Sequence, residues 1–229
     1  MAKLLIKEKE IVIPGQELAE GLDFLPGQGT SREENKIISN YLGLVSVNER
    51  FIKVIPLSGR YTPKVNDFVI GKVVEIGFYG WTIDIGSAYN GVLSIRDAAE
   101  FIERDDDLTK YYDFGDLVVV KINKVTRNKS IDLTTKGPGL KKLLGGKIIE
   151  VTPSKVPRMI GKQGSMIQLI KEKTGCNIII GQNGRVWIKG NTTEKEILAS
   201  DAILKIEQES HIEGLTDKIK KMLEKNELR

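Results

Sequence analysis

Residues 156–167 read Val156-Pro157-Arg158-Met159-Ile160-Gly161-Lys162-Gln163-Gly164-Ser165-Met166-Ile167: a short apolar helix, a Gly-x-x-Gly loop, and a second helix opened by Ser165. Two glycines let backbone approach a bulky anion with no Cβ in the way. The free amides at the start of the second helix add donors and a partial positive charge. Lys162 in the loop and Arg158 before it supply cations, and Gln163 and Ser165 add polar side chains at the same spot. The loop's surroundings constrain the fold as much as the loop does. Apolar patterning predicts a strand over 147–151 before it and a helix over 165–174 after it. Next come a strand over 176–180, a turn at Gly181-Gln182-Asn183-Gly184, a strand over 185–189 and a long helix from about Thr193.

That βααββα order with a central Gly-x-x-Gly resembles a type I KH domain, whose loop clamps the backbone of a single-stranded nucleic acid. The resemblance assigns RNA contact to Arg158, Gly161, Lys162, Gln163, Gly164 and Ser165. It also predicts a base-binding groove between the loop, the following helix and the second strand. Ile160, Ile167, Ile178 and Ile180 would form its apolar floor, although isoleucines at such spacing are more often simply core. Thr193 with Glu196 reads as a capping box for the long helix. Ile197, Ala199, Ala202, Ile203 and Ile206 then form its apolar face, and Leu215, Ile219, Met222 and Leu223 suggest a short further helix.

Composition narrows the chemistry. One cysteine, Cys176, rules out an internal disulfide or a zinc ribbon, and its place beside an apolar strand suits a buried small hydrophobe. The single histidine, His211, lies in a charged stretch and reads as surface. The run Glu103-Arg104-Asp105-Asp106-Asp107 reads as a solvated loop, because consecutive carboxylates splay outward rather than converge on a metal. No nucleophile elbow, phosphate-binding loop or Cys/His pair is present, so neither catalytic residues nor a metal or other cofactor is expected. No segment approaches the ~20 apolar residues that span a bilayer, and residues 1–7 lack a signal-peptide pattern, so a cytoplasmic location with no membrane partner is expected. The net charge of +4 is modest, but residues 147–229 hold 15 basic against 11 acidic side chains, which puts positive charge where phosphates are expected.

Residues 1–62 are short β-type runs broken by glycine and proline, with Ile13-Pro14-Gly15 at one bend and Asn48-Glu49-Arg50 as a hairpin turn. They predict a small β-rich module suited to docking. Over 66–135, five short strands with glycines at the bends fit a Greek-key barrel of the OB type. Gly71-Lys72-Val73, the bend at Tyr79-Gly80, Gly91-Val92-Leu93 and Gly115-Asp116 resemble an S1 RNA-binding domain. Such domains offer an aromatic before the bend glycine, a second three residues later, and a histidine on the next strand. Here those positions hold Tyr79, Thr82 and Ser94, so stacking falls to Tyr79 alone. Phe78 and Trp81, one place out of phase, are expected in the core. Lys121, Lys124, Arg127 and Lys129 supply backbone contacts. Residues 138–146, rich in glycine, read as a flexible linker.

The predicted architecture is therefore multidomain β plus α+β. It comprises a β-rich module (1–62), a five-stranded S1 barrel (63–137), a linker (138–146) and a KH domain with a helical extension (147–229). This order, with no zinc site, closely resembles the RNA-binding cap subunits of the archaeal exosome. The resemblance implies a non-catalytic subunit that captures single-stranded RNA for 3′-to-5′ degradation or processing. It also implies phosphorolytic ring subunits as partners, and three copies capping a hexameric ring. Alternatives with S1 and KH domains are polynucleotide phosphorylases, which need catalytic domains this chain has no room for, and a stand-alone RNA-binding or transcription elongation factor.

Overall fold

The computed structural model describes residues 3–103, 106–210 and 214–227, and it divides into two compact units, residues 1–59 and 60–229. Arg104, Asp105 and His211, weighed above, lie outside the described residues.

The first unit holds β1 (Lys3–Leu4), β2 (Ile11–Val12), β3 (Glu17–Glu20), β4 (Leu25–Pro26), β5 (Thr30–Glu33), β6 (Lys36–Ser39), β7 (Gly43–Asn48) and β8 (Phe51–Pro56). They form two four-stranded sheets, β1-β3-β6-β5 and β2-β7-β8-β4, over one core that includes Leu18, Ile37, Val45 and Ile52. Asn48 pairs with Phe51, so Glu49 and Arg50 make the tight turn expected there. Period-two alternation turns Ile52 and Val54 of β8 inward. Phe51, Lys53 and Ile55 therefore point outward.

The second unit begins with the barrel: β9 (Phe68–Gly77), β10 (Gly80–Asp84), β11 (Gly91–Ser94), β12 (Leu117–Val125) and β13 (Ile131–Thr134). The order β13-β11-β10-β9-β12 closes on itself through β12–β13, which leaves no free edge around the ring. Trp81 is fully inside. Its indole N–H donates to the Tyr112 carbonyl at 2.8 Å, and the two rings meet edge to face with centroids 5.0 Å apart. Tyr61, just beyond the β-rich module, is also buried here and donates to Asp67 at 2.6 Å. Burial, reinforced by that bond, pushes its hydroxyl pKa far up.

The remaining elements are β14 (Lys142–Leu143), β15 (Lys147–Glu150), α1 (Val156–Ile160), α2 (Ser165–Thr174), β16 (Asn177–Ile180), β17 (Arg185–Lys189), α3 (Thr193–Gln208) and α4 (Leu215–Glu227). The sheet order β15-β17-β16, all antiparallel, is the type I KH arrangement. Three details differ from expectation. The helix cap is Thr192, whose backbone is extended as a cap requires, while Glu196 reaches back to the Gly190 N–H at 2.9 Å. Ile197 is exposed, because the buried face runs through Ala199, Ala202, Ile203 and Ile206. The final helix is not a short appendage: Leu215, Ile219 and Leu223 are buried in the KH core.

The largest departure is residues 138–146, expected as a flexible linker. Leu140 and Leu143 are buried with Ile70, Val119 and Trp187 in a core of their own. β14 pairs with β12, and Lys142 forms an ion pair with Asp116. The Trp187 indole donates to the Gly145 carbonyl at 2.7 Å. The glycines suggested freedom, but two leucines facing a tryptophan gain ~1.5–3 kcal/mol each by staying buried.

The barrel and the KH domain therefore form one body, joined through the β16–β17 turn. Asn183 is buried. Its amide oxygen accepts from Ile70 N–H at 3.3 Å, and its amide nitrogen donates to the Ile70 and Ile85 carbonyls at 2.8 and 2.9 Å. Gln182 exchanges two bonds with the backbone of Phe68, at 2.8 and 3.1 Å. Arg185 donates to the carbonyl and the carboxylate of Asp84, at 2.8 and 2.6 Å. Partial burial pushes the Asp84 carboxyl up, but the Arg185 bond and charge, with the Gly86 amide, outweigh it and hold the group below the usual range.

Candidate nucleic-acid interface

The Gly-x-x-Gly loop is built by backbone geometry that few residues adopt. α1 stops at Gly161, whose φ is +76°, and its N–H returns to the Pro157 carbonyl at 3.0 Å. Lys162, Gln163 and Gly164 make a single 3₁₀ turn before α2 starts at Ser165. Gln163 is left-handed at φ +52°, a conformation costing a non-glycine residue ~1–2 kcal/mol. Such strain persists where the surroundings over-determine it, commonly at binding loops. The two glycines differ in role. A Cβ on Gly161 would stand 2.8 Å from the Met166 nitrogen, so the fold itself needs glycine there. A Cβ on Gly164 would meet nothing nearer than Ile167 Cγ2 at 4.0 Å, which leaves that side open to an approaching group. Arg158, Lys162, Gln163 and Ser165 all present exposed or half-buried side chains.

Beside the loop lies an open groove of about 380 Å³. Ile160, Ile167 and Ile180 line it half-buried, whereas Ile178 belongs to the KH core and only touches its base. The far wall comes from the barrel and the joint: Phe68, Val119 and Pro138. Lys141 and Lys171 also line the groove, with no carboxylate among the described lining residues.

The predicted barrel residues separate into three places. Phe78 and Tyr79 are the two-residue turn between β9 and β10, 94% and 84% exposed. Phe78 is therefore not a core residue as expected; only Trp81, at 1% exposure, is. Thr82 bonds to Glu75, and the Ser94 hydroxyl accepts from Arg96 N–H, so both positions serve local structure. Arg127 and Lys129 sit in the β12–β13 turn. The register Val125↔Ile131↔Gly91 places that turn at the opposite end of β11 from Tyr79. Lys121 lies elsewhere again, its ammonium 5.8 Å from the centroid of the Phe68 ring and thus beside the KH groove. Of the acidic run, Asp106 accepts from Glu103 N–H and Asp107 caps Thr109, so these carboxylates serve their own loop.

Phe68, Lys141 and Lys171 were not singled out from sequence. One signal was available. Phe68-Val69-Ile70 and Leu117-Val118-Val119-Val120 are apolar on both strand faces, which marks strands covered on both sides. That cover is the KH domain.

Three family models match successive parts of the chain. A family model described as the exosome RNA binding protein RRP4 N-terminal domain matches residues 9–58. An RRP4 S1 domain model matches 60–103, and a KH domain model matches 146–194. The exosome complex component Rrp4 of Thermococcus kodakarensis is 49% identical over 229 residues, covering 97% of this chain and 88% of that protein. The protein of the same name from Pyrococcus furiosus is 47% identical, covering 97% and 86%. A crystal structure described as an exosome complex RNA-binding protein aligns with a TM-score of 0.67 and 35% identity, over 74% of this chain and 98% of that one.

Proposed function

The chain belongs to the exosome Rrp4 family, and from that premise we propose that it is a non-catalytic RNA-binding subunit of the complex. It captures single-stranded RNA and passes it to a phosphorolytic ring for 3′-to-5′ degradation or processing. The carrying observation is an intact Gly-x-x-Gly loop, open at Gly164, within a chain that matches the family along its whole length. In this reading three copies cap a hexameric ring in the cytoplasm, residues 1–62 dock to the ring, and the S1 barrel and KH domain hold RNA.

The KH clamp uses Gly164 for backbone approach, Gly161 to hold the turn that presents it, and Arg158, Lys162, Gln163 and Ser165 for polar contact. Tyr79 supplies stacking on the barrel, and Lys121, Arg127 and Lys129 supply phosphate contacts. Gly164→Asp is expected to weaken single-stranded RNA binding by about tenfold or more, since a carboxylate would face phosphate. Lys162→Ala is expected to lower affinity alike for all sequences and reduce the salt-dependence slope by about 0.7, one single-strand phosphate contact. Fluorescence anisotropy across a salt series reads both, and unchanged affinity in folded variants would make the loop a structural turn only.

The non-catalytic assignment has its own test. Purified chain incubated with single-stranded RNA, phosphate and magnesium is expected to bind it and leave it intact. Release of nucleoside diphosphates by the chain alone would overturn the assignment.

A further inference from the structure

We propose that the KH groove is completed by the barrel, with Phe68 of β9 stacking a base of the bound strand and Lys121 taking a neighbouring phosphate. This deepens the KH reading above and rests on it. The sequence places this groove between the Gly-x-x-Gly loop, α2 and β16 alone. Here the β16–β17 turn binds the barrel instead, and the two bonds between Gln182 and the Phe68 backbone fix this aromatic beside the groove. Phe68 lines the same open groove as Ile160 and Ile167, and it remains 43% exposed. It is thus an aromatic surface presented at the edge of an apolar cleft.

The charge around it identifies the occupant. Lys121 stands over the Phe68 ring, and Lys141 and Lys171 line the cleft, with Lys162 in the loop beyond. An apolar cleft with lysines in its lining and at its edge, and no carboxylate among its described lining residues, suits a polyanion with flat apolar units, which describes single-stranded RNA. A peptide helix or a second apolar surface would leave those ammonium groups without partners. Base–aromatic stacking tolerates any sequence because every base has a π-face, so Phe68 adds affinity without specificity. The barrel and KH domain then hold one continuous strand.

The experiment uses the full chain and a labelled oligouridylate of about twelve nucleotides, within the site sizes typical of such binders. Phe68→Ala is expected to weaken binding by about 5- to 100-fold. Phe68→Leu keeps the apolar bulk and is expected to weaken binding nearly as much; recovery by leucine would mean packing, not stacking. Phe68→Trp is expected to bind at least as well as wild type and to lose fluorescence when RNA is added. Trp81 and Trp187, the two native tryptophans, are buried, so the new indole dominates that signal. The Gly164→Asp variant separates the outcomes. If it weakens binding while the Phe68 variants bind as wild type and the Phe68→Trp fluorescence is unquenched, the composite groove is wrong and the KH reading stands. If Gly164→Asp has no effect, the KH reading fails, and the composite groove with it.

Discussion

Removal of residues 1–59 is expected to abolish association with the phosphorolytic ring while residues 60–229 stay folded and still bind RNA. The cut belongs at 59 because Tyr61 is part of the barrel core, so removing residues 1–62 would damage the domain meant to survive. The docking assignment rests on the outer face of the β2-β7-β8-β4 sheet. Phe51 and Ile55 project from β8, Leu25 lies beside Phe51, and Ile11 lies across from Leu44, which itself pairs with Ile55. All four outward residues are exposed. An exposed apolar row of this kind suits the proposed docking role. A few anchors buried at the centre of an interface each cost ~2 kcal/mol or more when lost. Phe51→Glu with Ile55→Glu in the full chain is therefore expected to lower ring affinity by more than about 30-fold without changing RNA affinity. Size-exclusion co-elution with the ring reads both variants. Co-elution of the truncated protein would move the docking role to the barrel or the KH domain. Deleting the KH domain is a poor complementary test, because it would bare Ile70, Val119, Leu140 and Leu143. Gly164→Asp is expected to weaken RNA clamping without that exposure.

Asn183→Ala is expected to destabilise the second unit by about 2–4 kcal/mol and to loosen the barrel from the KH domain. Three backbone groups, the Ile70 N–H and the Ile70 and Ile85 carbonyls, would lose their asparagine partner in a buried site. Each unsatisfied buried group costs ~1–3 kcal/mol, with partial relief from relaxation and from water. Gln182→Ala is the control. Its side chain is exposed and makes one bond across the junction, so less than about 1 kcal/mol is expected. Urea unfolding gives the magnitudes, and limited proteolysis within 138–146 gives the loosening. Equal, small losses in both variants would show that apolar contacts around Trp187 hold the junction without Asn183. Acid should weaken the same junction. The Asp84 carboxyl is held below its unfolded value of about 3.9, so its contribution is complete above that pH. It is lost as pH falls through the lower folded value. Asp84→Asn should remove that acid dependence.

Local physics explains which parts of the fold were readable from sequence. α2, β17 and α3 follow the predicted spans closely, because each has a clear period and a glycine or polar residue at its ends. The five barrel strands were readable from glycine bends. The inward or outward direction of Phe78 was not, because a two-residue turn breaks the alternation that assigns faces. Cys176 is buried, as its apolar neighbours implied.

Three modules, the type I KH order, and the loop where Gly161 and Gly164 meet Lys162 are legible from the residues alone. These features depend on neighbours a few positions apart, and propensity and spacing carry that information. The union of barrel and KH domain in one body, with 138–146 as a packed seam, emerges only on folding. So does the position of Lys121, set beside the KH groove through Phe68 rather than beside Tyr79. Asn183 and Ile70 are 113 positions apart along the chain. Nothing local to a Gly-Gln-Asn-Gly turn tells its amide which backbone it will meet. The unalternated apolar strands show that a second layer must cover the barrel, but its identity follows from which surfaces exclude water together.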